Sequence, residues 1–221
     1  MRVRRLLPLW VCLAVPAQAE VRFHLDVGGF FRSVPSLDLA ELAGETGYGT
    51  GDDAASAAAG IRLGFGMEYA GFEVAVDAGL GAGGLDLARI EQRYLGQIDD
   101  VGSSTTLAAG LRFMWVPEVA EGWQVLLGPQ GMWHVMGAAS GAGQASVSSL
   151  GFGGIAGFRW MTQAITPTLD GGLQVTVDGM AHLPLSTSVR RSTEDVLFEN
   201  DAPEGVFPSW GINASYYFTF K

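Results

Sequence analysis

The chain has 221 residues and a formal net charge of −10, with 23 acidic side chains, 13 basic ones and one cysteine, Cys12. This balance argues against nucleic acid as a partner, which would need a basic face on the protein. A lone cysteine excludes an intrachain disulfide, and the absence of any run of eighteen apolar residues after residue 20 excludes a predicted membrane-spanning helix.

The first 19 residues have the pattern of a secretory signal peptide. Three arginines fall within residues 2–5, an apolar run extends from Leu6 to Val15, and Ala17-Gln18-Ala19 is a small-x-small cleavage site. We expect cleavage after Ala19, which leaves one mature domain, residues 20–221. Loss of the three arginines lowers its net charge from −10 to −13.

Eight segments of the mature chain alternate apolar and polar residues with a period of two, as strands with two different faces do. A Gly-apolar-Arg-apolar motif repeats at 60–63, 110–113 and 157–160, which indicates strands paired as successive hairpins. The predicted strands are Val21–Ser33, Ser56–Glu68, Phe72–Gly83, Thr105–Val116, Trp123–Val135, Leu150–Met161, Leu173–Leu183 and Ser209–Phe220.

The connections between these strands alternate in length. The shorter ones are Tyr69–Gly71, Pro117–Gly122 and Thr162–Gly172, and the long polar ones are Val34–Ala55, Gly84–Ser104, Met136–Ser149 and Pro184–Pro208. Short turns at one end and long loops at the other are typical of bacterial outer-membrane barrels. The sequence therefore predicts an all-β fold, an eight-stranded antiparallel up-and-down transmembrane β-barrel with long extracellular loops.

A secreted soluble barrel of the lipocalin type is the alternative, with the apolar face turned inward. Three features favour the membrane barrel. Aromatic residues occur near strand ends on the apolar face, as in interfacial girdles. The polar face carries many of the 32 glycines, and the only lysine is Lys221, whereas a soluble domain normally carries many surface lysines.

The last strand ends in Tyr216-Tyr217-Phe218-Thr219-Phe220. This end resembles the C-terminal assembly signal of outer-membrane barrels. Together with the signal peptide, the eight strands and the loop asymmetry, it is similar to the small barrels of the OmpA transmembrane domain, OmpX, OmpW and opacity-type proteins. The resemblance is architectural, covers the mature chain, and departs from the pattern at Lys221, which follows the terminal aromatic.

The resemblance implies an outer-membrane location, with lipid and lipopolysaccharide around the barrel. It also implies that Tyr216, Phe218 and Phe220 face lipid and are recognised by the barrel-assembly machinery.

Charged residues recur at inward-facing positions of the predicted strands, and these are Asp26, Arg62, Asp77, Arg112, Arg159 and Asp178. Neighbouring strands supply opposite signs, which predicts the pairs Asp26–Arg62, Arg62–Asp77, Asp77–Arg112 and Arg159–Asp178. Buried ions must be paired, and an eight-stranded interior is just wide enough for side chains. We therefore expect a charge network that largely fills the lumen and a structural or surface-interaction role. A narrow porin or transporter for small or apolar solutes is the alternative.

Enzymatic and metal chemistry have little support in the sequence. His24, His134 and His182 are predicted to face inward, whereas a lipid-modifying site would face the bilayer, so we expect no catalysis. The pair His134 and His182 lacks an acidic third ligand, so we expect neither a metal site nor a cofactor.

The first and last long loops are acidic, through Asp38, Glu41, Glu45, Asp52 and Asp53 in one and Glu194, Asp195, Glu199, Asp201 and Glu204 in the other. The acidic loops leave open a role in binding divalent cations or a surface partner. Residues 85–95 are predicted to form a short helix over the barrel mouth. The inward positions of the outer half are rich in glycine, which leaves room there for a small pocket open to the outside.

Overall fold

The computed structural model describes residues 20–45, 47–48, 51, 57–96, 102–162, 164–192, 195–201 and 203–220. The predicted signal peptide, Asp52, Asp53, Glu194 and Lys221 lie outside them. Within these residues the chain forms ten strands: β1 Arg22–Ser33, β2 Ala57–Tyr69, β3 Phe72–Gly83, β4 Gly102–Trp115, β5 Glu118–Ala120, β6 Trp123–Ser140, β7 Gly143–Met161, β8 Leu169–Arg191, β9 Val196–Asn200 and β10 Phe207–Phe220. It also forms α1 Leu39–Ala43 and α2 Leu87–Ile90, which continues as a π-helical turn, Glu91–Leu95. None of the described helices is long and apolar enough to cross a membrane.

Eight of the strands close into one antiparallel barrel in the order β1-β2-β3-β4-β6-β7-β8-β10. The last strand completes the ring, because β10 pairs with β1 through Phe220 opposite Phe23 and with β8 through Phe220 opposite Leu169. Closure pairs the backbone groups around the ring, as the interior of a bilayer requires. The predicted fold class, an eight-stranded up-and-down transmembrane barrel, is confirmed.

The outer wall of the barrel carries a band of exposed apolar side chains. Phe65, for example, is 57% exposed, whereas many polar and charged side chains of the strands are buried on the inward face. Other members of the band are Val27, Ile61, Leu63, Val76, Leu80, Leu111, Phe113, Leu127, Phe152, Phe158, Val175, Val177 and Ile212. So large a contiguous apolar surface is unfavourable in water and is the lipid-contacting surface of a membrane barrel.

Two of the four predicted long loops are mostly strand, which corrects the expectation for Met136–Ser149 and Pro184–Pro208. β6 and β7 continue to a tight turn at residues 141–142, and β8 continues to Arg191 and pairs with β9. In these extensions the alternating positions hold mainly small residues and serines, so the two faces of each strand differ little in hydrophobicity. Ala145, Val147 and Val189 nevertheless point inward and are buried.

A β-bulge in β8 makes this extension still harder to recognise in the sequence. Ser148 lies opposite Ser186 and Ser149 opposite Pro184, so Leu185 has no partner on β7. The bulge accommodates a proline inside a strand and changes the inward-facing positions of β8 from even to odd numbers.

The outer mouth of the barrel is covered by an apolar cluster, which we call the cap. Its buried members are Val34, Leu37, Leu39, Ala40, Leu42, Leu85, Ile90, Tyr94, Leu95, Met136, Ala138, Ala142, Ala145, Val147, Val189, Phe198 and Phe207. The cap joins both helical segments to the extended hairpins. The helix predicted over residues 85–95 therefore lies at the mouth, from Leu87 to Leu95.

An ion pair joins the two helical segments of the cap. Asp38 caps the N-terminus of α1 by accepting hydrogen bonds from Ala40 and Glu41, and it also pairs with Arg93 at 2.9 Å. Burial acts to raise the pKa of Asp38, but hydrogen bonds from Arg93 and from the backbone N–H groups of Gly51 and Glu41 outweigh it and lower the pKa below its ordinary value of 3.8.

Candidate functional site: the charged interior of the barrel

Glycine creates the space that charged side chains occupy in the lumen. A Cβ atom at Gly64 would lie 2.6 Å from Asp77 Oδ1 and would also overlap the carboxylate of Asp26. At Gly151 a Cβ would lie 2.7 Å from the imidazole of His182. The glycine-rich inward face therefore lets neighbouring strands fill the interior with long side chains.

The layer nearest the short turns is organised by Arg159, which is fully buried. Its guanidinium donates to Glu73 Oε2 at 2.5 Å, to Gln174 Oε1 at 3.0 Å and to Gln124 Oε1 at 3.2 Å. It also lies 3.5 Å from the ring centroid of Tyr217, a cation–π contact. One cation thus joins side chains from four strands.

The middle layer is organised by Arg112, also fully buried. Arg112 forms an ion pair with Asp26, and its Nε lies 3.4 Å from Glu73 Oε1 while its Nη1 lies 3.5 Å from Asp77 Oδ1. Arg62 donates from Nη2 to Asp77 Oδ1 at 2.8 Å. The two arginines therefore face three carboxylates, and Glu73 links this layer to the one below.

The upper layer corrects the predicted pair Arg159–Asp178. Asp178 is bound by Arg32 at 2.7 Å and by Asn213 at 2.9 Å, while Arg159 lies in the layer nearest the short turns. The expected pair of Asp26 with Arg62 is also revised, since Asp26 forms its ion pair with Arg112 across the lumen. Strands in a barrel are tilted and staggered, so heights counted along the sequence do not translate directly into contacts.

Arg32 was missed by the sequence analysis. It continues the inward alternation of β1 from Asp26, and that parity is the signal that identifies it. Its second amino group donates to Ser209 Oγ at 2.9 Å, so Arg32 bridges a carboxylate and a hydroxyl.

Two histidines lie directly beneath the cap. The rings of His134 and His182 are 4.9 Å apart, centroid to centroid, in an edge-to-face arrangement. His182 contacts Ser149 Oγ through Nδ1 at 3.2 Å and Ser209 Oγ through Nε2 at 2.7 Å, and its ring stacks on Phe207 of the cap at 4.8 Å.

The third histidine, His24, lies in the lowest layer. Its Nε2 is 3.4 Å from Glu73 Oε1, and its ring stacks on Tyr217 at 4.8 Å. Among the described residues, no group of three or more His, Asp and Glu side chains is arranged to hold a metal ion.

Between the middle and upper layers lies a cavity of about 20 Å³, bordered by Phe30, Arg32, Arg62, Asp77, Met132, His134 and Asn213. This volume suits about one water molecule. The sequence predicted a small pocket open to the outside in the glycine-rich outer half, whereas the space found there is this small internal cavity with the cap above it.

The predicted assembly residues lie on the outer side of β10. Phe220 is exposed, while Tyr216 and Phe218 are partly exposed, with their rings 4.8 Å apart. Their lipid-facing position agrees with the expectation from the sequence. Recognition by assembly machinery stays a prediction.

No protein-family model matches the chain, and no curated protein matches its sequence. Solved structures do match its fold. A major outer membrane protein from Thermus thermophilus aligns with a TM-score of 0.54 and 11% identity over 90% of this chain and 99% of that one. The outer membrane protein OprG from Pseudomonas aeruginosa aligns with a TM-score of 0.50 and 14% identity over 91% and 97%. Neisserial surface protein A aligns with a TM-score of 0.48 and 12% identity over 92% of this chain and 99% of that one.

The chain therefore has the fold of small outer-membrane β-barrel proteins. At these identities the likeness shows the fold alone. A closed barrel with an outward apolar band is the form that spans outer membranes, in agreement with the predicted location.

Proposed function

We propose that this protein is a closed outer-membrane barrel that stabilises a surface-exposed structure rather than conducting solutes. The observation that carries the proposal is the stack of three charge layers across the lumen, centred on Arg159, Arg112 and Arg32. Arg159 on β7 reaches Glu73 on β3, and Arg112 on β4 reaches Asp26 on β1, so these two cations cross the interior. Arg32 on β1 joins the nearby strands β8 and β10 through Asp178 and Ser209.

The cap supports the same proposal from the outer side. A solute that entered from outside would first have to displace an apolar cluster whose members include Leu39, Ile90 and Val147, each with no exposed surface. A water-filled channel would instead be lined by hydrated polar groups. The cavity of about 20 Å³ is far too small for a sugar or an amino acid.

A role at the cell surface is supported by the hairpins that extend beyond the apolar band. Trp133 donates its indole N–H to Ser148 Oγ at 2.9 Å, a contact suited to the membrane interface. Above Trp133 the outward face of β6–β8 changes to small and polar residues, such as Gly137, Ser146 and Ser188. These strands present a rigid polar surface outside the lipid, where a partner has access.

Solute uptake by liposomes tests the proposal. Protein refolded into liposomes should admit arabinose no faster than empty liposomes do. The variant Arg190→Ala, which removes an exposed pair with Glu199 outside the lumen, serves as a matched control and should be equally tight. Uptake by the wild type that falls with increasing sugar size would refute the closed barrel and favour the narrow transporter.

A further inference from the structure

The histidine pair beneath the cap has no role in holding the barrel closed by charge. His134 and His182 are both buried, and imidazole is the side chain that exchanges a proton near neutral pH. Their place between the charge layers and the apolar cap is therefore informative.

The charges that face the pair are already balanced. Arg32 on β1 is bound to Asp178 on β8 at 2.7 Å, and Arg62 on β2 is bound to Asp77 on β3 at 2.8 Å. Arg32 borders the small cavity together with His134, and it shares the hydroxyl of Ser209 with His182. Arg62 and Asp77 border the same cavity. A proton added to either imidazole would bring a positive charge with no carboxylate left to pair with it.

The hydroxyls around His182 fit a neutral ring. Arg32 can only donate, so Ser209 Oγ accepts from it and is able to direct its own hydrogen to His182 Nε2. The opposite nitrogen, Nδ1, then donates to Ser149 Oγ. A protonated ring carries an N–H at both nitrogens. Ser209 Oγ would then face two donors, Arg32 and His182 Nε2, and could no longer donate its own hydrogen to the ring.

His182 also packs directly against the cap. Its ring lies parallel to Phe207, with 5° between the planes, and Phe207 belongs to the buried apolar cluster. Phe207 and Ser209 are both near the start of β10, so a displacement of the imidazole acts on the strand that enters the cap.

We propose that His134 and His182 form a proton-sensitive contact that holds the cap closed at neutral pH and releases it in acid. Protonation of either ring places an unpaired cation beside Arg32, and outward movement of the cap admits water to solvate it. The lower charge layers stay in place, so release of the cap exposes the outer half of the lumen without opening a channel.

Thiol labelling tests the proposal, because the mature sequence has no cysteine of its own. Ala40→Cys reports on the cap, since Ala40 has no exposed surface, and Val206→Cys, at a position 60% exposed, is the reference. The ratio of the two labelling rates cancels the intrinsic effect of pH on thiol reactivity. We expect this ratio to rise about tenfold between pH 7.5 and pH 5.0.

In the background His134→Gln/His182→Gln, the ratio should become independent of pH. The matched control is His24→Gln, which removes a buried histidine that contacts a carboxylate far from the cap and should leave the rise unchanged. If the double variant fails to give the compact folded band on an unheated gel, His134→Gln alone is used and should reduce the rise.

A ratio that does not change with pH in the wild type would overturn the proposal, as would a rise that survives in the glutamine variants or is lost equally in His24→Gln. The proposal builds on the closed barrel only in placing the cap over the mouth. Conductance at neutral pH would refute the closed lumen, whereas the labelling ratio tests whether acid releases the cap.

Discussion

Replacement of Arg112 by methionine is the perturbation that tests the charge layers most severely. Arg112 is fully buried and faces Asp26, Glu73 and Asp77, so the variant keeps an unbranched apolar stem but removes the guanidinium and leaves three carboxylates facing one another. Removing one partner from a buried ion pair typically costs about 3–5 kcal/mol, because the remaining charge is uncompensated. Arg62 and Arg159 still neutralise part of the cluster, so we expect the lower end, about 3 kcal/mol.

Equilibrium unfolding in lipid vesicles, followed by tryptophan fluorescence in increasing urea, measures this loss. A change of about 3 kcal/mol corresponds to more than a hundredfold change in the unfolding equilibrium constant. The matched control is Arg190→Met, in which the lost partner is the surface residue Glu199. Both side chains of that pair are at least 40% exposed, and such pairs contribute only about 0–1 kcal/mol.

A second substitution separates charge from packing. Asp26→Asn neutralises the carboxylate that forms the ion pair with Arg112, so in the Arg112→Met background it should recover about 1 kcal/mol or more, since neighbours in one network are not additive. The reasoning is refuted if Arg112→Met costs no more than Arg190→Met, or if Asp26→Asn makes the double variant still less stable.

Three further outcomes are expected. The lowered pKa of Asp38 means that its contribution to the cap is complete above its ordinary value of 3.8 and is lost as the pH falls through the lowered value, so Asp38→Asn should loosen the cap at pH 7 and raise the labelling rate of Ala40→Cys relative to that of Val206→Cys. Deletion of Phe218–Lys221 should leave the protein in the periplasm, while deletion of Lys221 alone should be nearly silent; normal insertion of the longer deletion, by membrane fractionation, would contradict the assembly signal. Protease added to intact cells should cut within residues 195–206, and cuts confined to Pro117–Gly122 would reverse the topology.

The barrel was predictable because its signal is local. Period-two alternation with large apolar residues marks each membrane-crossing segment, and the eight predicted strands overlap the eight strands that close the ring. The extended hairpins were missed because Ser146, Ser148 and Ser188 alternate with small residues, and because the bulge at Leu185 changes the inward parity of β8.

The charged interior was predictable in its composition but not in its pairing. Inward parity identified Asp26, Arg62, Asp77, Arg112 and Arg159 as lumen residues. Which of them touch depends on the stagger of the closed barrel and on the reach of each arginine, and neither can be obtained from spacing along one strand.

The cap could be anticipated only in part. The predicted helix over residues 85–95 is present, but the cluster joins it to Leu39, Val147 and Phe198, which lie more than forty residues away in the sequence. Such long-range packing leaves no periodic signal in any one segment. The register that brings these residues together follows from the hairpin extensions.

Single-channel recording of the wild-type protein in a planar bilayer tests the central claim most directly. At neutral pH in molar potassium chloride, the three charge layers predict no steady ionic current, with brief openings at most. Arg112→Ala should show more frequent openings, because it removes the cation at the centre of the lumen. A steady open channel in the wild type, unchanged by Arg112→Ala, would contradict the closed barrel.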